Sequence, residues 1–463
     1  MTANLVVLAG LVGLLFPAGA AVWASRSAPS TGRESPGAAA YVLTALAVGL
    51  LGYVAVGFAL SFGGVTRLYP ALGELTALGS AWTPLATWMG PGWALAGASG
   101  FFVGVGDEVG AYALFFLQAS VLAAVLSMLA AACAGRLRPQ AFVLLVMAFA
   151  WLLYPLAVAW AWGGGWLSTL GLTRSLGHGF VDAGGGAVLL AVGAAALAVA
   201  LTRRPAAGPA AGGPTAAASR SDSSAGGPAP EATRDEALAL EQAPGAASGD
   251  LSAAALAGLA AMTAGWLGLL AGNSLMMGTS LPLVVVNAVA GAATGATVAL
   301  GYMGFTTSRL NGEMGGRGLL AGLLAAGVAA PFISTPAAVL IGAVAGLLVC
   351  WSSYLAARLG LDDPADAVAV AGLGGLWGLI ALGLFADGRT GQGWHGVGLQ
   401  QYLGAAGQGV TGLLPAAGFL ADPPQMAAQI VGIAAILLWV ILPIGLVLRL
   451  SVSRTGPETA DPA

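Results

Sequence analysis

Four sets of side chains in the 463-residue sequence are of types that do chemistry: the acid run Asp362-Asp363-Pro364-Ala365-Asp366, the pair Asp107-Glu108, the two histidines His178 and His395, and the two cysteines Cys133 and Cys350. Paired carboxylates can act as general acid and base. Carboxylates placed just before an apolar helix more simply satisfy its unpaired N–H groups and its dipole, and Asp362, Asp363 and Asp366 are assigned that structural role. Asp107-Glu108 reads as a solvated loop with a weak, salt-screened attraction for cations. Each cysteine lies in an apolar run without a second Cys or His at ligand spacing, so both read as small buried hydrophobes rather than metal ligands or a disulfide. His178 reads as an exposed loop residue, the alternative being a pH-sensing site. The sequence has no phosphate-binding loop, nucleophile elbow or metal-ligand cluster. Neither an enzyme nor a cofactor is expected.

The elements that must hold these groups are apolar. Hydrophobic residues make up 58% of the chain and charged residues 8%, far below a soluble domain. A net charge of −3 leaves no basic face for nucleic acid. The 73 glycines have no G-X-Y period and lie inside apolar runs, as where helices pack closely in lipid. A spanning helix needs about 20 apolar residues. Eleven stretches approach that length: 4–24, 38–62, 109–133, 141–162, 184–202, 251–272, 281–304, 318–334, 336–357, 367–385 and 426–448. The boundary near Ala330-Pro331 is the hardest to place, because one long apolar region must be cut by a very short turn. The first stretch reads as a retained helix rather than a signal peptide.

All 16 basic residues are arginine. With eleven spans, one set of alternate loops and the tail holds thirteen of them, and the other set only Arg67, Arg174 and Arg389. Cytoplasmic loops carry the excess of positive charge, which places the N-terminus outside and the C-terminus inside. The segment 205–250, rich in Ala, Gly, Pro and Ser, reads as a flexible cytoplasmic linker between a five-helix and a six-helix half. The transmembrane domain is therefore placed at 1–449 and a short cytoplasmic tail at 450–463.

The run from Leu361 to Phe385, LDDPADAVAVAGLGGLWGLIALGLF, resembles the D-D-x-x-D-x-x-x-V-H-G-x-G-G signature of the ammonium transporter (Amt/Rh) family. Val54–Gly64, Trp162-Gly-Gly-Gly-Trp-Leu, Asp182-Ala-Gly-Gly-Gly, Gly265–Asn273 and Asn287 resemble further family stretches in the same order. The resemblance implies an all-α polytopic fold of eleven spans, N-out and C-in, built as a 5+5 inverted repeat plus an eleventh helix. It also implies a homotrimer with one pore per subunit, a recruitment site for a small cation at the outer mouth, a phenylalanine gate and two pore histidines.

Carried over residue by residue, Trp162 matches the recruiting Trp and Asp182 the acid supporting the pore entrance. The recruiting Ser falls on Asn273, the two gate phenylalanines on Val121 and Leu269, and the pore histidines on Leu190 and Ala371. The chain's two histidines lie in outside loops instead. The function expected is passive conduction of ammonium/ammonia, or a similar small neutral molecule, through a histidine-free pore in the cell (inner or plasma) membrane. The alternatives are a non-conducting ligand sensor on the same scaffold, or a channel for another neutral solute such as carbon dioxide. The short tail lacks the acid-rich segment that family members controlled by a P-II signal protein carry, and it does not point to that partner.

Overall fold

The computed structural model describes residues 2–25, 38–202 and 251–453, apart from 67, 85, 90–92, 360, 362, 364 and 365. The expected linker, the tail beyond Ser453 and Asp362 lie outside the described residues. Eleven apolar helices follow in order: α1 (Thr2–Ser25), α2 (Ala38–Phe62), α3 (Val109–Cys133), α4 (Pro139–Ala161), α5 (Gly186–Thr202), α6 (Ala253–Met277), α7 (Leu281–Thr307), α8 (Gly312–Phe332), α9 (Thr335–Leu359), α10 (Ala367–Phe385) and α11 (Pro423–Ser453). Ten are long and apolar enough to cross a membrane, and α5, with 17 residues, is the short one. Two small antiparallel ribbons, Ala81–Trp82 with Ala96–Gly97 and Gln401–Tyr402 with Ala405–Ala406, decorate the loops.

Helix ends follow local chemistry. The Ser252 hydroxyl accepts from the Ala255 N–H at 3.1 Å to start α6, and the Asn311 side chain accepts from Met314 at 2.9 Å to start α8. The second cap moves the start of α8 to Gly312, ahead of the expected 318, so Arg317 lies within the helix rather than in a loop. Helix α6 runs to Met277, past the expected 272, and ends at Gly278 in the left-handed region (φ 70°). The cut near Ala330-Pro331 is held by Asn287 of α7. Its amide donates to the carbonyls of Ala330 and Ile333, both at 2.9 Å, and its oxygen accepts from Thr335 Oγ1 at 2.9 Å. One side chain thus satisfies two of the carbonyls orphaned where α8 ends, while those of Pro331 and Phe332 accept from the Thr390 hydroxyl and the Asp387 N–H.

Close helix approach rests on glycine. Gly291 and Gly295 of α7 lie one turn apart, against Gly318 and Gly322 of α8 and Gly342 and Gly346 of α9, where an added Cβ would run into the opposing backbone. The α5–α10 crossing has the same basis: a Cβ on Gly193 would collide with the Cα of Gly372. Helices α3 and α8, each the third of its half, are the most enclosed, with 83% and 89% of their apolar windows buried. Spans α2, α4 and α10 each contain one widened π turn, at Tyr53–Gly57, Phe149–Leu153 and Ala367–Gly372.

Gly193→Ala is therefore expected to cost about 2 kcal/mol by overpacking, while Gly301→Ala, with open space around it, changes stability by less than about 0.5 kcal/mol. Thermal melts followed by size-exclusion chromatography in detergent would separate the two; equal behaviour would refute a backbone-to-backbone crossing.

Candidate functional site

The outer site is built around the start of α5. The Asp182 carboxylate accepts four backbone N–H groups, from Gly184 (3.2 Å), Gly185 (2.9 Å) and Gly186 (2.8 Å) on one oxygen and Ala187 (2.8 Å) on the other. The Gly-rich sequence lets the chain wrap tightly enough for this, with Gly185 in the left-handed region at φ 89°. Burial pushes the carboxyl up to about 6, and the donors of Ala187, Gly186, Gly185 and Gly184 pull against that. The Asp182 main-chain carbonyl in turn accepts the indole N–H of Trp162 at 2.9 Å, and the Trp162 carbonyl accepts the Tyr69 hydroxyl at 2.6 Å. Tryptophan, acid and helix start form one unit.

Helix α11 fixes the segment leading into that unit. Gln425 accepts from the His178 N–H (2.8 Å) and donates to Gly179 (2.9 Å); Gln429 accepts from the Val181 N–H (2.9 Å) and donates to its carbonyl (2.8 Å). Sequence reasoning missed both glutamines. Their signal was two amides four residues apart on an otherwise apolar span, a spacing that places them on one face.

His178 corrects an expectation. It is fully buried, not exposed, and its ring packs against Tyr402 with centroids 4.4 Å apart. Both ring nitrogens lack a hydrogen-bond partner. Its carbonyl lies 2.9 Å from Nδ1 of His395, so the two histidines meet across 217 positions of sequence. Burial pushes both imidazoles down to about 4, assisted at His178 by the neighbouring His395. Beside them opens a cavity of about 240 Å³ lined by Tyr69, Trp162, Asp182, Met277, Trp394 and His395, among others.

Of the residues assigned to the mouth, Trp162 and Asp182 line this cavity, and Asn273 does not. Asn273 lies one turn below Met277, 3% exposed, with its amide oxygen buried and unpartnered. At mid-depth Leu190 is 2% exposed and Ala371 is fully buried, flanking the glycine crossing of α5 and α10. Val121 and Leu269 are each 2% exposed and neither lines the outer cavity; Leu269 packs on Gly13 of α1.

At the other end of the bundle the acid run divides its work. Asp363 behaves as expected, accepting from the N–H groups of Val368 (3.0 Å) and Ala369 (2.8 Å) at the start of α10. Burial and the neighbouring Asp366 push its carboxyl upward. Asp366 sits at the N-cap position of α10, but its side chain makes no capping bond. It pairs with Arg317 at 2.9 Å and accepts the Trp23 indole N–H at 2.8 Å, tying α10 to α8 and α1. Among the described residues, Cys133 and Cys350 are free and buried.

The model of the Ammonium Transporter Family matches residues 4–225 and 239–455. The chain belongs to the ammonium transporter family. Its relatives include the ammonium transporter Amt2 of Archaeoglobus fulgidus, 28% identical over 350 residues, which are 74% of this chain and 63% of that protein. The ammonium transporter of Aquifex aeolicus is 24% identical over 455 residues, 93% of this chain and 90% of its own. The chain thus spans slightly under two thirds of Amt2's length and nearly all of the Aquifex relative's. Among solved structures, a sensor Amt protein superposes with a TM-score of 0.69 at 20% identity, over 98% of this chain and 93% of its own. Mep2 of Candida albicans gives 0.67 at 19%, over 98% and 84%. These likenesses establish the Amt fold.

The imidazoles make stability pH-dependent in a defined direction. Unfolded, each takes a proton near pH 6.5; folded, only near 4, so between those values the unfolded chain binds more protons and stability falls as pH falls. Asp182 and Asp363, whose carboxyls are raised, act in the opposite sense over the same range, so the imidazole contribution is read as a difference: between pH 6.5 and 4.5 His178→Phe should lose less melting temperature, relative to its own value at pH 6.5, than the parent does. An unchanged slope would refute the buried, neutral ring. Asp182→Ala, which strands four amides, should destabilise by about 2 kcal/mol or more, and Asp182→Asn, which keeps an acceptor, by less. Equal melts for the two variants would contradict the capping role.

Proposed function

We propose that the protein is a passive channel that carries ammonium/ammonia as the neutral molecule, or a similarly small uncharged solute, through a histidine-free apolar mid-section. The observation that carries this reading is the pair Leu190 and Ala371, buried at the glycine crossing of α5 and α10, where the family signature has histidines. A charge at the bilayer centre costs several kcal/mol without a partner, and neither side chain supplies a proton acceptor. A neutral molecule meets no such barrier at an apolar constriction, which opens or closes by dewetting. Asp182, Asp363 and Asp366 serve the fold; none acts as a catalytic carboxylate. We further assign the protein to a plasma membrane as a homotrimer, one pore per subunit.

A second reading is a ligand-sensing protein that does not conduct. It is favoured by the outer cavity, whose lining includes Trp162, Trp394 and His395 and reaches neither Leu190 nor Ala371.

Purified protein in liposomes separates the two. An ammonium jump should raise internal pH without current on a supported membrane, and Leu190→Ala, which trims the constriction, should raise that signal several-fold. Neither signal above empty vesicles, with saturable ligand quenching of tryptophan fluorescence, would overturn conduction in favour of sensing. A current would overturn neutral transport.

A further inference from the structure

The outer cavity contains one feature that the family signature does not account for. His395 lines it, and the ring's two nitrogens have different surroundings. Nδ1 lies 2.9 Å from the His178 carbonyl, which only accepts, so Nδ1 carries the proton and Nε2 keeps its lone pair. Among the described residues Nε2 has no hydrogen-bond partner, and His395 as a whole is half-buried. The orientation is maintained by long-range contacts: Gln425 of α11 accepts the His178 N–H, and the His178 ring is wedged against Tyr402, whose hydroxyl donates to Asp422 at 2.8 Å. The backbone of His395 itself is in the left-handed region, at φ 51°. A non-glycine residue is retained there only where its surroundings over-determine it. Below Met277, the buried oxygen of Asn273 is a second acceptor without a donor.

We propose that His395 is a specificity-determining residue of the outer cavity, presenting Nε2 as a fixed hydrogen-bond acceptor to a small cation that carries N–H groups. The peptide carbonyl of His178 is its positioning group. An N–H cation beside Trp162 and Trp394 is attracted to aromatic rings and gives one hydrogen bond to Nε2; an alkali ion of similar size has no proton to give. Burial keeps the imidazole neutral in a neutral medium, so it accepts rather than repels. This assignment rests on the ammonium reading of the mouth but not on conduction through the middle.

The test uses the full chain in detergent, titrated with ammonium, methylammonium or potassium chloride, with intrinsic tryptophan fluorescence as readout. His395→Asn and His395→Gly both suit a positive φ and remove the imidazole. Each should weaken ammonium and methylammonium binding about tenfold while leaving potassium binding unchanged, the loss expected for one hydrogen bond to a charged donor. In ¹⁵N-histidine spectra, Nε2 of His395 should appear unprotonated and shift with ammonium but not with potassium. Folded variants that bind ammonium like the parent, an ammonium-insensitive Nε2, or a parent protein that binds neither amine would overturn the proposal. Intact binding with no liposome flux would instead overturn the channel reading and leave this one standing.

Discussion

The outer half of the molecule depends on one carboxylate. Asp182 is buried where an unpaired charge would be costly, and the four N–H groups it accepts are those that a helix start leaves without partners. Each satisfies the other's need, so neither requires water. Because the Asp182 carbonyl also takes the Trp162 indole, and Gln425 and Gln429 fasten the segment before it, α4, α5 and α11 converge on one short stretch of chain. The mouth cavity gets its shape from that convergence.

The inner end has a related arrangement. There Asp363 caps α10 as Asp182 caps α5, and the fifth helix of each half begins at an acid. The two helices then cross glycine to glycine, with Leu190 and Ala371 beside the contact. Asp366 is further tied to Arg317 and Trp23, which joins α8, α10 and α1. Between the two braced ends, Gln118 of α3 and Asn273 of α6 hold buried amide atoms without partners.

Much of this was legible in the sequence. The need to satisfy backbone groups in hydrocarbon makes apolar length a reliable signal, and ten of the eleven expected stretches fall on long apolar helices, with the eleventh on α5. The acid run before the tenth span announced a capped helix start, which Asp363 makes, since capping is chemistry between neighbours in sequence. The ends of α6 and α8 were misplaced because Ser252, Asn311 and Gly278 set them through individual caps, which an average over an apolar window does not resolve.

What the sequence determined by itself was the class of fold and the identity of the helices, because each follows from residue type and local spacing. The tertiary structure decided which polar groups meet. His178 and His395 are 217 positions apart, and Gln425 lies 247 positions beyond the amide it fixes. Such pairs form because a buried polar group must find a partner from whatever helix packing brings near, and packing places His178 inside, Leu269 against Gly13 and Asp366 on Arg317. No spacing rule within one segment encodes those neighbours.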